Sequence, residues 1–487
     1  MVTREAGALI APVTQNSLTP GFQMIKLFDD QEDVRTKLRV ALRTHGSVLV
    51  YAPTGFGKTV LAAKLIELIY NAGKRVIFCV HRVDLIKQTA KTFEKVGIPF
   101  SYIASGRHYN PLHRVYIASI DTLKNRKHNI EADYVMVDEA HLSASAGWAS
   151  VTLHYKGTGA KLIGLTGTPE RLDGKPLGDL WDTMVMGPSV ADLIEAGRLS
   201  RYRAFAPAGI DLTGVRTGKG DYVNSQIDEI MSGKAVLAGA VGHWRKYAGG
   251  KRTIAFAPSV ARSEQLAAEF RASGINAVAL DGNTPTNDRD RAFHAFADRQ
   301  LDVIVNCQLF CEGFDLSAQV DRDVTIEAVL QYAPTKSLAK HLQQLGRALR
   351  RKDYPAVLLD LVGNIGRLGL PDDDREWSLE GRKKKKGNAG EVSPKICKNC
   401  FATFNPAPVC PVCGHQDEAQ VRSHTEVEGE LEEINVQELR RQKKIEQAKA
   451  GTLEELIALA TDRGYKNPAH WASKIYTARL AKQKRRA

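Results

Sequence analysis

The chain carries three groups of residues whose types and spacing can do chemistry. The first is Ala52 to Thr59, APTGFGKT, set directly after the apolar run Ser47–Tyr51 and before the helically spaced Val60–Tyr70. That order predicts strand, phosphate loop, helix. Gly55 and Gly57 let backbone N–H groups turn toward an anion, with Thr54 in the same loop. Lys58 reaches outer phosphates, and the Thr59 hydroxyl stands at the helix N-terminus, where it can hold Mg²⁺. Ala52 occupies the place of the first glycine of G-x-x-x-x-G-K-[ST], so the pattern is incomplete, and a chance GKT is the bland alternative.

The second group is Asp138, Glu139, Ala140 and His141, at the end of the apolar run Tyr134–Val137 and about 80 residues beyond the loop. Asp138 at a strand end suits Mg²⁺ held through water, and Glu139 suits activation of a water attacking a γ-phosphate. An acidic loop after a strand is the alternative, but the two halves in this order are more specific than either. Thr166 and Thr168, in TGTPER after the run Lys161–Leu165, have hydroxyls that can link the site, with His141, to a neighbouring lobe. The third group is QQLGRALR. Gln343, Arg347 and Arg350 fall at i, i+4 and i+7, which predicts one shared helical face. The planar Arg fork makes bidentate phosphate contacts, so an arginine delivered by closure can stabilise transition-state charge. An exposed basic helix is the bland reading.

The elements around these groups predict parallel α/β architecture. Arg75–Val80, Val115–Ser119 and, later, Thr253–Ala257, Asn276–Leu280 and Asp302–Asn306 read as further buried strands alternating with helices. His81, Arg82 and Gln88 follow the second strand and Thr122 the third, where the crevice of such a sheet binds ligands. They are candidate phosphate contacts. Gln31, near the start of the amphipathic segment Phe28–Arg43, can bond an adenine edge or be a solvated helix-end residue. In QLFCEGFDL, Gly313 permits close backbone approach, and Asp315 can bond a ribose hydroxyl or orient an arginine.

With 487 residues the chain exceeds one ordinary core. We divide it into an N-terminal arm (1–20), a first lobe (21–200), a second lobe (201–380), a basic linker (381–396), a cysteine-bearing module (397–415) and a basic helical tail (416–487). No apolar run approaches a membrane span and no secretory signal is evident, so the expected location is the cytoplasm. The formal charge of +13 favours a polyanionic partner, and +8 of it lies from Gly381 onward, in 21 basic against 13 acidic residues. Cys397-x-x-Cys400 and Cys410-x-x-Cys413 offer four thiolates suited to structural, tetrahedral Zn²⁺; reduced thiols or an iron–sulfur centre are the alternatives. The tail reads as a nucleic-acid contact, or as a solvated or partner-binding helical segment.

Taken in order, APTGFGKT, HRVDLIKQT, IASIDTL, DEAH, LTGTPER, CEGFD and QQLGRALR resemble motifs of the superfamily 2 helicases and translocases over roughly residues 25–380. PTKS and LDLVGNIGRLGLPDDDREWSLEG resemble more narrowly the bacterial and phage helicases of the RadD type. The resemblance implies two RecA-like lobes with ATP between them, Mg²⁺ as cofactor, and motion along single-stranded, forked or branched DNA in repair, recombination or replication. A duplex translocase, an RNA helicase and a tail-mediated recruitment factor binding a replication or repair protein are the competing readings. Cys311 departs from that group, which usually has threonine there.

Overall fold

The computed structural model describes residues 25–381 except 82, 144, 207–211, 213, 219, 232–233 and 311–314. In the tail it describes 395–396, 403–404, 432–434, 446–447 and 449–484 except 464 and 466. The arm 1–20, Arg82, Cys311, Gly313 and the four clustered cysteines lie outside the described residues.

Seven strands form the first sheet: β1 (Ser47–Tyr51), β2 (Val76–Val80), β3 (Ser101–Ile103), β4 (Val115–Ser119), β5 (Tyr134–Val137), β6 (Lys161–Thr166) and β7 (Thr183–Met186). Their order is β3-β4-β2-β5-β6-β1-β7, with every neighbouring pair parallel. The strands read from apolar runs are buried along nearly their whole length, as strands covered by helices on both faces must be. β3 and β7 escape the sequence reading because they are short and carry polar residues at their ends.

After the helix Val190–Glu195 the chain enters a second sheet with β8 (Tyr202–Ala206). A small hairpin follows, β9 (Thr217–Gly218) with β10 (Asp221–Tyr222). Then come β11 (Thr253–Phe256), β12 (Ala277–Leu280), β13 (Val303–Asn306), β14 (Ala328–Gln331) and β15 (Ala356–Asp360). In the tail, β16 (Lys395–Ile396) pairs with β17 (Thr403–Phe404), and β18 (Glu432–Ile434) returns to the second sheet. That sheet runs β12-β13-β11-β14-β15-β8-β18, parallel except for β18. Glu432–Ile434 is therefore a strand within the segment 416–487 read as helical: the open edge of β8 gives its backbone a ladder to join.

One buried apolar cluster holds side chains of both sheets, Val48 and Ile163 of the first with Val329 and Leu358 of the second, together with Leu199, Leu345 and Leu349. The lobes are thus packed against each other. The tail helices Leu453–Asp462 and Pro468–Lys484 close on a small core of their own, Leu456, Ala460, Trp471 and Ala472. Among the described residues no helix is long and apolar enough to cross a membrane.

Candidate nucleotide site between the two lobes

The loop after β1 is held in the form an anion needs. Gly55 and Gly57 have φ of 88° and 92°, a region that favours glycine, and Gly57 caps the helix Lys58–Asn71 with no side-chain cap hydrogen bond. Lys58 Nζ turns back to donate to the Ala52 carbonyl at 3.2 Å, inside the loop's own hollow. Among the described residues no backbone acceptor takes the N–H groups of Thr54, Gly55 or Gly57. An uncapped helix start, free N–H groups and an inward lysine fit a polyphosphate. Thr59, half-buried, stands in the first helical turn.

Gln31 is neither solvated nor at a free helix end. It is 1% exposed; its Oε1 accepts the Phe28 N–H at 3.1 Å and its Nε2 donates to the Phe56 carbonyl at 2.9 Å. It braces the loop from behind. Arg198 does the same, donating to the Phe56 carbonyl at 3.0 Å while its guanidinium lies 3.6 Å from the Phe28 ring centroid and pairs with Asp30. Sequence reading missed Arg198 because it is 142 residues from Phe56 and belongs to no motif.

Across the hollow, β5 ends in the carboxylate pair. Burial pushes Asp138 up to about 6, with Glu139 adding to the effect; Lys58 and His81 oppose it by favouring the charged form. A desolvated carboxylate with a second carboxylate beside it suits a divalent cation. Among the described residues no three His, Cys, Asp or Glu side chains converge on a metal position, so such a cation would complete its shell from phosphate and water. Glu139 adopts φ 48°, uncommon for a residue with a side chain, and this turns its carboxylate under the second lobe. Its Oε2 lies 3.4 Å from His141 Nδ1 and 3.4 Å from Gln343 Nε2. His141 Nδ1 is also 3.0 Å from Thr166 Oγ1. The Thr166 hydroxyl also lies 3.2 Å from the Thr168 carbonyl and accepts the Thr168 N–H at 3.1 Å. The chain Gln343, Glu139, His141, Thr166, Thr168 is continuous.

The arginines depart from the helical face read from the sequence. The helix Leu338–Gly346 stops before them. Its last turn tightens to i→i−3 bonds, Arg347 to Gln344, Ala348 to Leu345 and Leu349 to Gly346, because Ser200 N–H takes the Leu349 carbonyl at 2.9 Å and Leu199 bridges Arg350. Arg347 is 7% exposed beside Gly346, whose approach to the phosphate loop is so close that a Cβ there would meet Thr54 Cβ at 2.7 Å. Arg350 donates to Asp315 at 2.7 Å; although burial opposes it, that guanidinium holds the Asp315 carboxyl below its usual range. Of the two roles read for Asp315, orienting an arginine is the one the geometry displays. Two further residues organise this turn. Leu199 is buried between it and the loop, where a Cβ at Gly55 would come within 2.5 Å of Leu199 Cδ2. Lys352, lowered to about 8 by burial, donates to the carbonyls of Ala348 and Arg350.

The candidate nucleic-acid contacts are less gathered. His81 lies at the end of β2 near Asp138, on the nucleotide side. Gln88 and Thr122 are half-buried on the helices Val83–Lys95 and Ile120–Arg126, and the Gln88 Oε1 has no hydrogen-bond partner among the described residues.

Comparison with known proteins agrees with this architecture. Residues 24–171 match the family model of the type III restriction enzyme res subunit, and residues 235–352 match that of the helicase conserved C-terminal domain. A 51.5 kDa protein of a Lactococcus phage (isolate 7-9) is 32% identical over 398 residues, 80% of this chain and 83% of that protein. A Saccharomyces cerevisiae protein carrying the name ATP-dependent helicase IRC3 is 28% identical over 70% of this chain. The solved structure of the ATP-dependent Type ISP restriction-modification enzyme LlaBIII bound to DNA superposes with a TM-score of 0.52 at 14% identity over 69% of this chain. The chain spans 53% of the yeast protein's length and 27% of the restriction enzyme's. With two parallel-sheet RecA-like lobes meeting over a phosphate loop, the chain belongs to the superfamily 2 helicases, the ATP-dependent helicases and translocases.

Proposed function

We propose that the chain is an ATP-driven DNA motor of the RadD type, bearing DEAH as its second motif, that moves on or remodels DNA in repair, recombination or replication. The observation that supports it most is a pair of contacts: Gln343 on Glu139 and Gly346 on Thr54. One stretch of the second lobe reaches both the carboxylate and the phosphate loop of the first. The preference for DNA over RNA follows the narrower resemblance around PTKS and residues 359–381.

In this reading the N–H groups of Thr54, Gly55 and Gly57, with Lys58, hold the phosphates, and Thr59 and Asp138 hold Mg²⁺. Bound there, Mg²⁺ supplies charge neutralisation on phosphate oxygens. Glu139 orients and deprotonates the attacking water, its carboxylate held by the Gln343 amide beside His141. Arg347 presents its charge to the γ-phosphate, and Arg350, held by Asp315, sets the turn that carries it. Thr166 and Thr168 pass the position of Glu139 to the next loop. Arg82, Gln88 and Thr122 are assigned to the strand-binding side, His81, beside Asp138, to the nucleotide side, and Gly313 to close approach beside Asp315.

Cys397, Cys400, Cys410 and Cys413 are assigned to a structural Zn²⁺ site. The antiparallel register Ile396↔Thr403 supports this, since it brackets the first C-x-x-C between two short strands. The basic tail is assigned to DNA or to a replication or repair partner.

The test is ATP hydrolysis with no nucleic acid, single-stranded, duplex and forked DNA, and RNA, at one stated salt concentration. Stimulation confined to DNA is expected, and the best substrate separates a strand separator from a duplex translocase. Equal, unstimulated turnover throughout would sink the motor reading. Arg347→Ala should lower kcat by about 10²-fold or more while changing KM for ATP far less, because its contact forms in the transition state.

A further inference from the structure

Residues 369–381 leave the second lobe after the helix Asn364–Leu368 and cross to the first. Their beginning is rooted in the second lobe. Buried His341, pushed down to about 4 by desolvation and therefore neutral, donates from Nε2 to the Gly369 carbonyl at 2.9 Å. The Arg375 guanidinium donates to the carbonyls of Leu368 at 3.1 Å and Leu370 at 2.7 Å, and the Tyr202 hydroxyl meets Asp372. A cation on several carbonyls stiffens this turn.

Their end is rooted in the first lobe. The Leu379 carbonyl accepts the N–H groups of Leu177 at 2.8 Å and Gly178 at 3.0 Å, and its side chain packs on the cluster that includes Leu177, Leu180 and Trp181. Gly381 presses so closely on Gly174–Pro176 that a Cβ would come within 2.7 Å of their backbone. Between the two roots, the Trp377 ring centroid lies 5.6 Å from that of Tyr51, the last residue of β1 and the one before Ala52. On the outer side, Asp374 accepts the Trp471 indole N–H at 3.3 Å, and Tyr465 stands edge-on to Trp471 at 5.1 Å. The C-terminal helix pair therefore touches the crossing segment.

We propose that residues 369–381 are an inter-lobe strap that positions the phosphate loop through Trp377 on Tyr51, with the C-terminal helix pair as its adjustable anchor through Trp471 on Asp374. The inference rests on the ATPase reading above. Lobe opening breaks the Gln343–Glu139 and Gly346–Thr54 contacts freely, but it must stretch or turn a segment held at both ends, and Tyr51 at the loop's root lies under that segment. Trp377 is a positioning residue, since it touches none of the groups assigned to ATP.

The test uses the full chain, with KM and kcat for ATP and thermal melting measured for Trp377→Ala, Trp377→Phe, Trp471→Phe and Lys58→Ala. Trp377→Ala should raise KM about tenfold, equivalent to about 1.4 kcal/mol, with kcat at saturation within about twofold. Trp377→Phe should restore KM, and Trp471→Phe, which keeps a ring but loses the N–H, should raise it in the same sense by a smaller factor. An unchanged KM in Trp377→Ala, or a fall in kcat alone that tracks a lowered melting temperature, overturns the strap. Undiminished turnover in Lys58→Ala refutes instead the ATPase reading beneath it.

Discussion

Each lobe builds a strand, short loop and helix, and the two finish that unit differently. In the first, β1 leads through a glycine loop to the helix Lys58–Asn71, whose N-terminus carries no side-chain cap. In the second, β11 leads through Ala257 and Pro258 to the helix Val260–Ala272, and Ser259 caps it, accepting the Arg262 N–H at 3.2 Å and bonding Asp228 as well. One helix start is left open to an anion; the other is closed by its own chain. The strand ends differ likewise. β5 runs out into Asp138 and Glu139 just past its last residue, whereas β14 ends in buried Gln331, whose Nε2 donates to Gln344 Oε1 at 2.8 Å and so anchors the helix that carries Gln343. The first lobe leaves its polar groups for a ligand. The second turns its own groups inward and lends rigidity.

Removing the charge at the open end should do most harm. Lys58→Ala should reduce nucleic-acid-stimulated ATP hydrolysis by about 10³-fold or more with an unchanged far-ultraviolet spectrum, and residual turnover above that would break the contrast. Next comes the surface where the lobes meet. Gly346→Val inserts atoms where Thr54 already lies within 2.7 Å of a Cβ, so kcat/KM should fall roughly tenfold to a hundredfold, while the isolated lobes, unaffected internally, keep the melting temperature within a few degrees.

The carboxylate gives a signed effect. Asp138 has its pKa raised on folding, from 3.8 to about 6, so the native state binds the proton more tightly than the unfolded chain. Its ionisation therefore subtracts stability as pH rises from about 4 through about 6, and the loss is complete above that. Asp138→Asn should raise the melting temperature at pH 7.5 by a few degrees in the absence of nucleotide and Mg²⁺, with little gain at pH 4, while abolishing hydrolysis. The smallest effect belongs to the closed end. Ser259→Ala should lower stability by about 1 kcal/mol in denaturant melts and leave KM for ATP unchanged. A nucleotide-dependent phenotype there would blur the distinction between the lobes.

The elements that local pattern specifies were legible in the sequence: the apolar strands, the glycine loop, the carboxylates at a strand end and the alternation of strand and helix. What was not legible depends on residues far apart in the chain. Gln31 reads as a helix-end polar residue until the loop 25 positions later closes over it. Gln343, Arg347 and Arg350 read as one helical face because their spacing says nothing of Leu199 and Ser200, which pull the chain out of the helix. Leu199, Arg198 and Lys352 belong to no motif, and they act by packing or by donating to carbonyls, which leaves no compositional trace. The zinc assignment of Cys397, Cys400, Cys410 and Cys413 was legible as C-x-x-C spacing, and the short hairpin Lys395–Ile396 with Thr403–Phe404 adds to it.

β18 has a practical consequence for anyone dissecting this chain. Glu432–Ile434 covers the outer side of β8 in antiparallel register, so the final strand of the second sheet comes from beyond the cysteine module. A two-lobe fragment cut at Gly381 would bare a row of unpaired backbone groups on β8, the kind of edge that pairs with its own copies. β18 is thus an edge cover, and cutting the tail away is expected to add self-association to whatever else it changes.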